Sequence, residues 1–411
     1  MSSPSSGAAP QPSWVVRGSP AYRRISLALF LAGFATFSLL YCVQPLLPAF
    51  VAHFGVTPAA SALSLSLTTG CLAVAIVLAG ALSEGLGRRG LMFASMLLAA
   101  LCNLAASLAP SWETLLAARA LEGLLLGGVP AVAMAYLSEE IEPRGLGFAM
   151  GLYVGGSALG GMLGRVAMGA MTEYIDWHWA LAALSLVNLL AAVGFYLLLP
   201  PSRNFQRKTG LGAAYHLKAW GGHLAQPGLL CLFLIAFGLM GVFVSIYNYL
   251  GFLLAGAPYA LSPLQVSHVF YAYLFGVVAS PVAGALADRF GRAPVLLGGV
   301  AFMALGLLLT LGTALAAIVA GVVLMTAGFF TAHSVASGWV GRLATEAKGH
   351  ASSLYLLGYY LGSSLLGAGG GWVMQHAGWA GLVGSMLVLL AGVFLLGLRV
   401  RSLTRQGRPA V

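Results

Sequence analysis

Long apolar runs separated by short polar segments repeat along the whole chain. A helix needs roughly 20 apolar residues to cross the hydrocarbon core of a bilayer, and twelve runs have about this length. A membrane barrel would instead show shorter segments in which polar and apolar positions alternate. The pattern therefore predicts an all-α membrane protein with twelve transmembrane helices, numbered here as spans 1 to 12. The predicted spans are 25–49, 60–82, 90–109, 114–137, 145–170, 178–199, 228–254, 264–286, 293–312, 315–340, 350–374 and 378–399.

The composition agrees with lipid as the main solvent of this chain. Apolar residues make up 60% of the 411 residues and charged residues only 7%, whereas soluble domains carry about a quarter charged residues. The first apolar run is too long for the hydrophobic region of a signal peptide and lacks a small-residue cleavage site. It is therefore predicted to persist as span 1.

Basic residues are concentrated in alternate connections between the spans. With the N-terminus in the cytoplasm, all but two of the 20 Lys and Arg residues fall in cytoplasmic segments, and Arg119 and Arg165 lie within spans. Such a bias sets the orientation of membrane proteins, so both termini are predicted on the cytoplasmic side of the membrane. The net charge of +10 is dispersed over loops that face anionic lipid, and it does not indicate a nucleic-acid partner.

The connection between spans 6 and 7 is longer and more polar than most others, and it divides the chain into two groups of six spans. The first residues are rich in Ser, Pro and Gly, a composition typical of disorder. The predicted regions are a disordered cytoplasmic N-terminus at 1–24, an N-terminal six-helix bundle at 25–199, a cytoplasmic linker at 200–227, a C-terminal six-helix bundle at 228–399 and a cytoplasmic tail at 400–411.

The loop between spans 2 and 3 recurs between spans 8 and 9. The first copy reads GALSEGLGRR at 80–89 and the second reads GALADRFGRA at 284–293. A weaker similarity relates GSALGG at 156–161 in span 5 to GSSLLG at 362–367 in span 11. Parallel repeats of six helices are an architecture of transporters, in which the substrate site lies near the middle of the membrane between the two halves.

These motifs resemble those of a known family. The repeated loop resembles the signature Gly-x-Leu-Ala-Asp-Arg-x-Gly-Arg-Arg of the major facilitator superfamily, and RALEG at 119–123 resembles the superfamily's Arg-x-x-x-Gly motif. Three stretches, YCVQP at 41–45, GVPAVAMAYL at 128–137 and YYLGS at 359–363, resemble YnfM-type bacterial exporters related to acriflavine resistance and arabinose efflux. The resemblance covers about 25–400 and implies the major facilitator fold, with two six-helix pseudo-repeats. Glu84, Gly85 and Ser157 depart from the patterns of the superfamily and of its drug antiporters.

The repeated loops carry the residues of a predicted cytoplasmic latch. An acid at the end of one helix can pair with a nearby arginine or cap the next helix, and glycines permit a tight turn. In the superfamily such pairs close the cytoplasmic side and break when it opens; the alternative is an anchor of topology without a gating role. The latch positions are Gly80, Glu84, Gly87, Arg88, Arg89, Gly284, Asp288, Arg289, Gly291 and Arg292.

Arg119 and Glu122 lie three residues apart in span 4 and therefore share one helical face. Charged groups within a span are costly and indicate a functional site, and Glu122 is the one acid predicted well inside a span. We expect Glu122 to carry a coupling proton and Arg119 to set the proton affinity of that carboxyl group. The alternative is a structural ion pair that braces span 4.

Polar and aromatic side chains in several spans are candidates for the wall of a substrate cavity, which the resemblance places between spans 1, 4, 7 and 10. An aromatic cavity with few charges suits amphipathic or cationic aromatic substrates. Arg165 could attract an anion or extend to the membrane interface. The alternatives are an interfacial belt or packing role for the tyrosines and a buried, hydrogen-bonded imidazole for His333, which could also bind a proton. The candidates are Tyr41, Gln44, Arg165, Tyr247, Asn248, His333, Tyr355, Tyr359 and Tyr360.

No nucleotide-binding loop, metal-ligand cluster or catalytic constellation is visible in the sequence. We therefore expect neither an enzyme nor a cofactor or metal. The leading hypothesis is a monomeric secondary transporter that exports small amphipathic molecules or metabolites in exchange for protons. An importer of a small metabolite is the second hypothesis. A receptor or scaffold is the third, although a scaffold needs neither the repeated loops nor the charged pair in span 4.

Overall fold

The computed structural model describes residues 14–205 and 212–406, except the side chains of 80–86, 213 and 406. Within these residues eleven helical stretches are long and apolar enough to cross a membrane, and the last of them holds two spans divided at Gly378, which has φ 64°. The predicted all-α architecture with twelve spans is confirmed. The spans run over Pro20–Phe54, 58–86, Arg88–Ser107, Trp112–Glu140, Pro143–Thr172, Trp177–Leu198, Pro227–Ala255, Pro263–Phe290, Arg292–Leu309, Leu315–Leu343, 348–377 and 379–406.

Several spans begin before their first apolar residue because a proline starts the helix. In span 1 the Ser19 hydroxyl accepts a hydrogen bond from the backbone N–H of Tyr22 at 3.2 Å, and Pro20 occupies the first turn. Proline suits this position because its missing N–H would have no helical partner there. A proline also occupies the first turn of spans 2, 5, 7 and 8, at Pro58, Pro143, Pro227 and Pro263, and in spans 2 and 8 it follows a hydroxyl cap as in span 1.

Two polar regions outside the predicted spans have defined structure. Before span 1, the N–H of Val15 donates to the carbonyl of Glu140 at 2.8 Å, and the N–H of Glu142 donates to the carbonyl of Val15 at 3.2 Å. The prediction of disorder for 1–24 is therefore wrong for 14–24, because Val15 pairs with the loop after span 4 and a helix begins at Pro20, while 1–13 lie outside the described residues. The linker contains a helix, Ala213–Leu224, within the predicted bounds of 200–227.

Large apolar side chains remain exposed along the outer faces of the bundle. Leu190 and Leu197 in span 6 are 64% and 67% exposed, and Val388 and Leu395 in span 12 are 73% and 65% exposed. In each helix the two residues are seven positions apart and therefore lie on one face, which is exposed in the described structure. Such faces are suited to lipid acyl chains, which supply the apolar contact that water would not.

The two halves repeat in packing as well as in sequence. Span 1 packs on span 5, span 2 on span 4 and span 3 on span 6, and the same pairings recur as 7 on 11, 8 on 10 and 9 on 12. Gly160 in span 5 lies against the carbonyl of Phe34 in span 1, and Gly362 in span 11 lies against the carbonyl of Phe237 in span 7. A Cβ atom at either glycine would overlap that carbonyl, so these small residues permit the close approach of the helices.

The repeated loop has the same backbone in both copies. Gly87 has φ 83° and Gly291 has φ 88°, values that a residue with a Cβ atom rarely adopts. Each glycine lets the chain reverse between consecutive spans within a single residue. These two positions of the predicted latch therefore have a structural reason to be glycine.

The halves contact each other through spans 2 and 11 and, equivalently, through spans 5 and 8. The Ser364 hydroxyl donates to the carbonyl of Ser66 at 2.7 Å, and the N–H of Leu264 donates to Glu173 Oε2 at 3.2 Å. Both contacts lie toward the loops at 55–57, 173–176 and 256–262, which are predicted to be outside. Toward the opposite end, hydrogen bonds between described residues stay within one half or involve the linker at 200–227. This conformation is therefore joined at its predicted outer end.

Candidate functional site

Span 1 is interrupted at the YCVQP stretch. The first helix ends at Tyr41, and a turn of 3-10 helix at Gln44–Leu46 precedes a second helix at Leu47–Phe54. Pro45 causes this break because it has no N–H for the carbonyl four residues earlier and its ring conflicts with the preceding turn. The break places Gln44 against spans 5 and 7, and backbone carbonyls just before it contact span 4.

Arg119 and Glu122 form a fully buried ion pair beside this break. Nη1 of Arg119 lies 2.5 Å from Oε2 of Glu122, and both side chains are 0% exposed. The same guanidinium donates to the carbonyls of Leu39 at 3.2 Å, Leu40 at 2.9 Å and Ser64 at 3.1 Å. Arg119 thus connects span 4 to spans 1 and 2 while it pairs with Glu122.

Asn103 extends this cluster to spans 3 and 6. Its Oδ1 atom accepts from Nη1 of Arg119 at 3.2 Å, and its Nδ2 atom donates to the Ser185 hydroxyl at 2.9 Å. The second carboxylate oxygen of Glu122, Oε1, is buried and has no hydrogen-bond partner among the described residues. An unpaired buried oxygen is costly, and a proton on that oxygen would remove its negative charge.

A second polar cluster crosses the boundary between the halves. Nε of Arg165 donates to Oε1 of Gln44 at 2.6 Å, and Nε2 of Gln44 donates to Oδ1 of Asn248 at 2.7 Å. Nη1 of Arg165 also donates to the carbonyl of Gly161 at 2.6 Å. These hydrogen bonds connect span 5 through span 1 to span 7, so three of the residues predicted for the substrate cavity meet at one place.

Aromatic rings surround the guanidinium of Arg165. Its Cζ atom lies 4.1 Å from the ring centre of Tyr41, 4.9 Å from that of Tyr273 and 5.3 Å from that of Phe270. Arg165 is only 1% exposed, so it does not extend to the membrane interface in this conformation. Tyr273 and Phe270 were not predicted, because the sequence does not show which face of span 8 meets span 5.

The other aromatic candidates pack within the C-terminal half. The Tyr247 hydroxyl lies 2.8 Å from the Thr326 hydroxyl, which joins spans 7 and 10. Tyr41, Gln44, Tyr247 and Asn248 are each less than 5% exposed, at 4%, 3%, 3% and 1%. The wide cavity expected from the sequence is therefore filled by these side chains in this conformation. A small cavity remains between Gln44, Tyr247 and Phe270.

His333 occupies the hydrogen-bonded environment that was the structural alternative for this residue. Its Nδ1 atom lies 2.9 Å from the Tyr355 hydroxyl oxygen, and its ring centre lies 4.8 Å from that of Tyr359. Tyr359 in turn packs against Tyr360 with ring centres 5.0 Å apart. This group joins spans 10 and 11.

The latch residues pair with partners that were not predicted. Arg88 Nη2 lies 2.6 Å from Glu139 Oε1, and the two side chains are 9% and 27% exposed. Arg342 Nη2 lies 3.5 Å from Asp288 Oδ1, and both side chains are mostly exposed. Each pair lies within one half, so neither joins the halves in this conformation. The acidic run SEE at 138–140 marks the end of span 4 and was a signal for Glu139.

The remaining latch positions have separate surroundings. Arg89 donates to the carbonyl of Tyr196 at 2.6 Å and packs over its ring at 4.3 Å, and Arg289 packs over the ring of Phe290 at 5.1 Å. Gly284 has open space where a Cβ atom would lie. Gly80 and Glu84 lie outside the described side chains. Arg292 begins span 9 directly after the turn glycine.

Glu139→Gln should destabilise the protein more than Asp288→Asn. The first change removes a carboxylate that lies 2.6 Å from the largely buried Arg88, whereas exposed ion pairs contribute about 0–1 kcal/mol. We expect Glu139→Gln to lower the thermal midpoint of the purified protein by about 1–2 °C, because the unfolding entropy of a 411-residue chain is large and roughly 1 kcal/mol therefore shifts the midpoint little. Asp288→Asn should shift it by less. Equal shifts would show that the two copies of the loop contribute alike.

Comparison with known proteins identifies close relatives. The family model described as Major Facilitator Superfamily matches residues 29–261 and 229–410. The MFS-type transporter YybF of Bacillus subtilis (strain 168) is 44% identical over 391 residues, covering 95% of this chain and 96% of YybF. The inner membrane transport protein YnfM of Escherichia coli (strain K12) is 46% identical over 387 residues, covering 94% of this chain and 93% of YnfM.

A solved structure has a similar fold. The bacterial homolog of the human lysosomal transporter Spinster, in its inward-facing and occupied conformation, matches with a TM-score of 0.75. The alignment covers 94% of this chain and 98% of that protein, at 14% sequence identity. At this identity the likeness concerns the arrangement of the helices alone.

Proposed function

Because this chain belongs to the Major Facilitator Superfamily and is a multi-pass membrane transporter rather than an enzyme, we propose that it exports small molecules across the bacterial inner membrane in exchange for protons. The observation that carries the proposal is the buried pair of Arg119 and Glu122, whose Oε1 atom has no partner among the described residues. A carboxyl group within a span, held by an arginine, can release and take up a proton. The working unit is a monomer in the lipid bilayer.

A short path connects this carboxyl group to the boundary between the halves. Glu122 contacts Arg119, and Arg119 holds the carbonyls of Leu39 and Leu40. These carbonyls directly precede the break in span 1 that positions Gln44. Protonation of Glu122 would remove the negative charge that Arg119 pairs with. The hydrogen bonds that Arg119 donates to the carbonyls before this break would then change in strength. A differential effect of this kind is what coupling requires.

The transport cycle follows from where the halves are joined. Their hydrogen bonds, Ser364 to Ser66 and Leu264 to Glu173, lie toward the predicted outer end. Alternating access requires these contacts to open when the opposite end closes. In that step the pair of Arg88 and Glu139 and the pair of Asp288 and Arg342 belong to the latch region, which approaches the other half when the cytoplasmic side closes.

Export is the proposed direction because the YCVQP, GVPAVAMAYL and YYLGS stretches resemble those of bacterial exporters. A proton that crosses about 100 mV inward gains roughly 2.3 kcal/mol, and one pH unit adds about 1.4 kcal/mol. Together these terms sustain a substrate gradient of a few hundred-fold. Import by the same architecture would use the same charged pair, so direction requires a direct measurement.

Inside-out vesicles that contain the protein should accumulate substrate when their interior is acid. In such vesicles the lumen corresponds to the cell exterior. Protons that leave the lumen through an exporter of this kind therefore drive substrate into the lumen. Each pH unit should support about tenfold accumulation per coupled proton. The measurement is a panel of labelled metabolites and dyes, with a protonophore and protein-free vesicles as controls. Accumulation only in right-side-out vesicles placed in acid medium would instead identify an importer.

A further inference from the structure

Arg165 is a buried cation without a buried anion. It donates hydrogen bonds to the Gln44 amide and the Gly161 carbonyl and also interacts with the Tyr273 side chain, and no carboxylate in the described chain forms an ion pair with it. Arg119, by contrast, pairs with Glu122. Both arginines lie seven residues, about 10 Å at 1.5 Å per residue, from the predicted outer end of their spans. At this depth an uncompensated charge is energetically costly unless something else neutralises it.

Two hydrogen-bond donors in this cluster also lack acceptors. The hydroxyl of Tyr41 and the Nδ2 atom of Asn248 are buried and have no partner among the described residues. The orientation of Asn248 is determined by the cluster itself. Arg165 can only donate, so Gln44 must turn its oxygen toward it, and the Gln44 nitrogen then requires the oxygen of Asn248. The Nδ2 atom of Asn248 is left as a free donor.

We propose that the transported substrate carries a single carboxylate, bound by Arg165, Tyr41 and Asn248. The guanidinium supplies the positive charge, and the hydroxyl and amide supply hydrogen bonds that an ionised carboxylate accepts strongly. One negative charge balances the one unpaired cation of this cluster in the described structure. The inference rests on the proposed function, because it names the substrate class of the same transporter.

The rest of the substrate is apolar or aromatic. The rings of Tyr273 and Phe270 lie 4.9 Å and 5.3 Å from the Arg165 guanidinium and form the wall beside the anion position. A cationic aromatic substrate, which the sequence favoured, would be repelled by Arg165. The class is therefore small monocarboxylates with an apolar body.

The donors come from both halves of the protein, which gives the carboxylate a role in the conformational change. Arg165 and Tyr41 belong to the N-terminal half and Asn248 to the C-terminal half. A bound carboxylate therefore contacts both halves at once. Its binding energy can differ between conformations because the distance between these donors changes when the halves move.

The test is equilibrium binding to the purified protein in detergent, where neither direction nor proton coupling matters. Benzoate, phenylacetate and hexanoate should raise the thermal midpoint of the wild-type protein, whereas benzylammonium and benzyl alcohol should not. Arg165→Gln should abolish the response. Tyr41→Phe should weaken binding about tenfold, because one hydrogen bond to a charged group is lost. Tyr174→Phe is the matched control, since Tyr174 is 80% exposed just after span 5.

A measurement without ligand separates a binding role from a structural one. If Arg165 binds an anion, Arg165→Gln should leave the thermal midpoint of the ligand-free protein unchanged or raise it. Arg399→Gln, at an exposed arginine, is the control. A lowered midpoint with an intact carboxylate response would identify Arg165 as a structural anchor and overturn the proposal. The absence of any carboxylate response in the wild type, or an equal response to benzylammonium, would overturn it too. Proof of import would leave this binding result unaffected.

Discussion

A Glu122→Gln protein should bind its substrate but fail to concentrate it on a pH gradient. Glutamine keeps the size of the side chain and an oxygen that can accept from Arg119, whose Nη1 atom lies 2.5 Å from the present carboxylate. The amide cannot gain or lose a proton, so the gradient no longer contributes its driving force of about tenfold per pH unit and proton. Accumulation in inside-out vesicles should fall to the level of vesicles without a pH gradient.

The matched control for this change is Glu113→Gln, because Glu113 lies in the first turn of the same span and is exposed. It should transport as the wild type does. Exchange of labelled for unlabelled substrate, which needs no gradient, should persist in the Glu122→Gln protein. A well-folded Glu122→Gln protein that still concentrates substrate would refute the assignment and make His333 the next residue to test.

Arg119→Ala should cause the largest loss of folded protein of any single substitution considered. It removes the donor to four acceptors in three other spans and leaves Glu122 buried without its cation. Removal of one partner from a buried ion pair costs about 3–5 kcal/mol. We expect little monodisperse protein after purification, and a thermal midpoint well below that of the wild type for the part that folds.

The double variant Arg119→Ala with Glu122→Gln separates the two causes. If most of the stability loss comes from the unpaired carboxylate of Glu122, the second change should restore much of the stability lost in the first. If most of the stability loss comes from the missing hydrogen bonds to the carbonyls of Leu39, Leu40 and Ser64, the double variant should remain as unstable as the single one. An Arg119→Ala protein as stable as the wild type would show that the pair does not brace the bundle.

The hydropathy pattern was sufficient for the twelve spans and their repeat because the length and polarity of a membrane helix are local properties. Its errors lay at helix ends. Span 1 begins at Pro20 rather than at 25, because a serine cap and a proline start a helix whatever the polarity of the residues that follow. The pairing of Val15 with the loop after span 4 depends on a contact far along the chain, which no local pattern predicts.

The candidate site could be predicted as a set of residues but not as two clusters. The isolated charges of Arg119, Glu122 and Arg165 were visible because charge within an apolar run is rare. Gln44, the partner of Arg165, lies 121 residues before it in span 1, and the next hydrogen bond joins Gln44 to Asn248 in span 7, 204 residues after Gln44. Only the packing of the helices shows that one arginine has an anion and the other does not.

The contacts of Arg119 also bear on how the chain enters the membrane during synthesis. A charged residue within an inserting helix opposes insertion, by up to about 2.5–3.5 kcal/mol at the helix centre on insertion scales, so Arg119 makes the insertion of span 4 less favourable. Every acceptor that Arg119 uses besides Glu122 precedes it in the chain, and therefore leaves the ribosome first. When span 4 emerges, the carbonyls and the amide of spans 1 to 3 can already accept hydrogen bonds from the guanidinium of Arg119. The order of the helices along the chain thus favours insertion of the charged one. Those earlier acceptors are the carbonyls of Leu39, Leu40 and Ser64 and the side chain of Asn103.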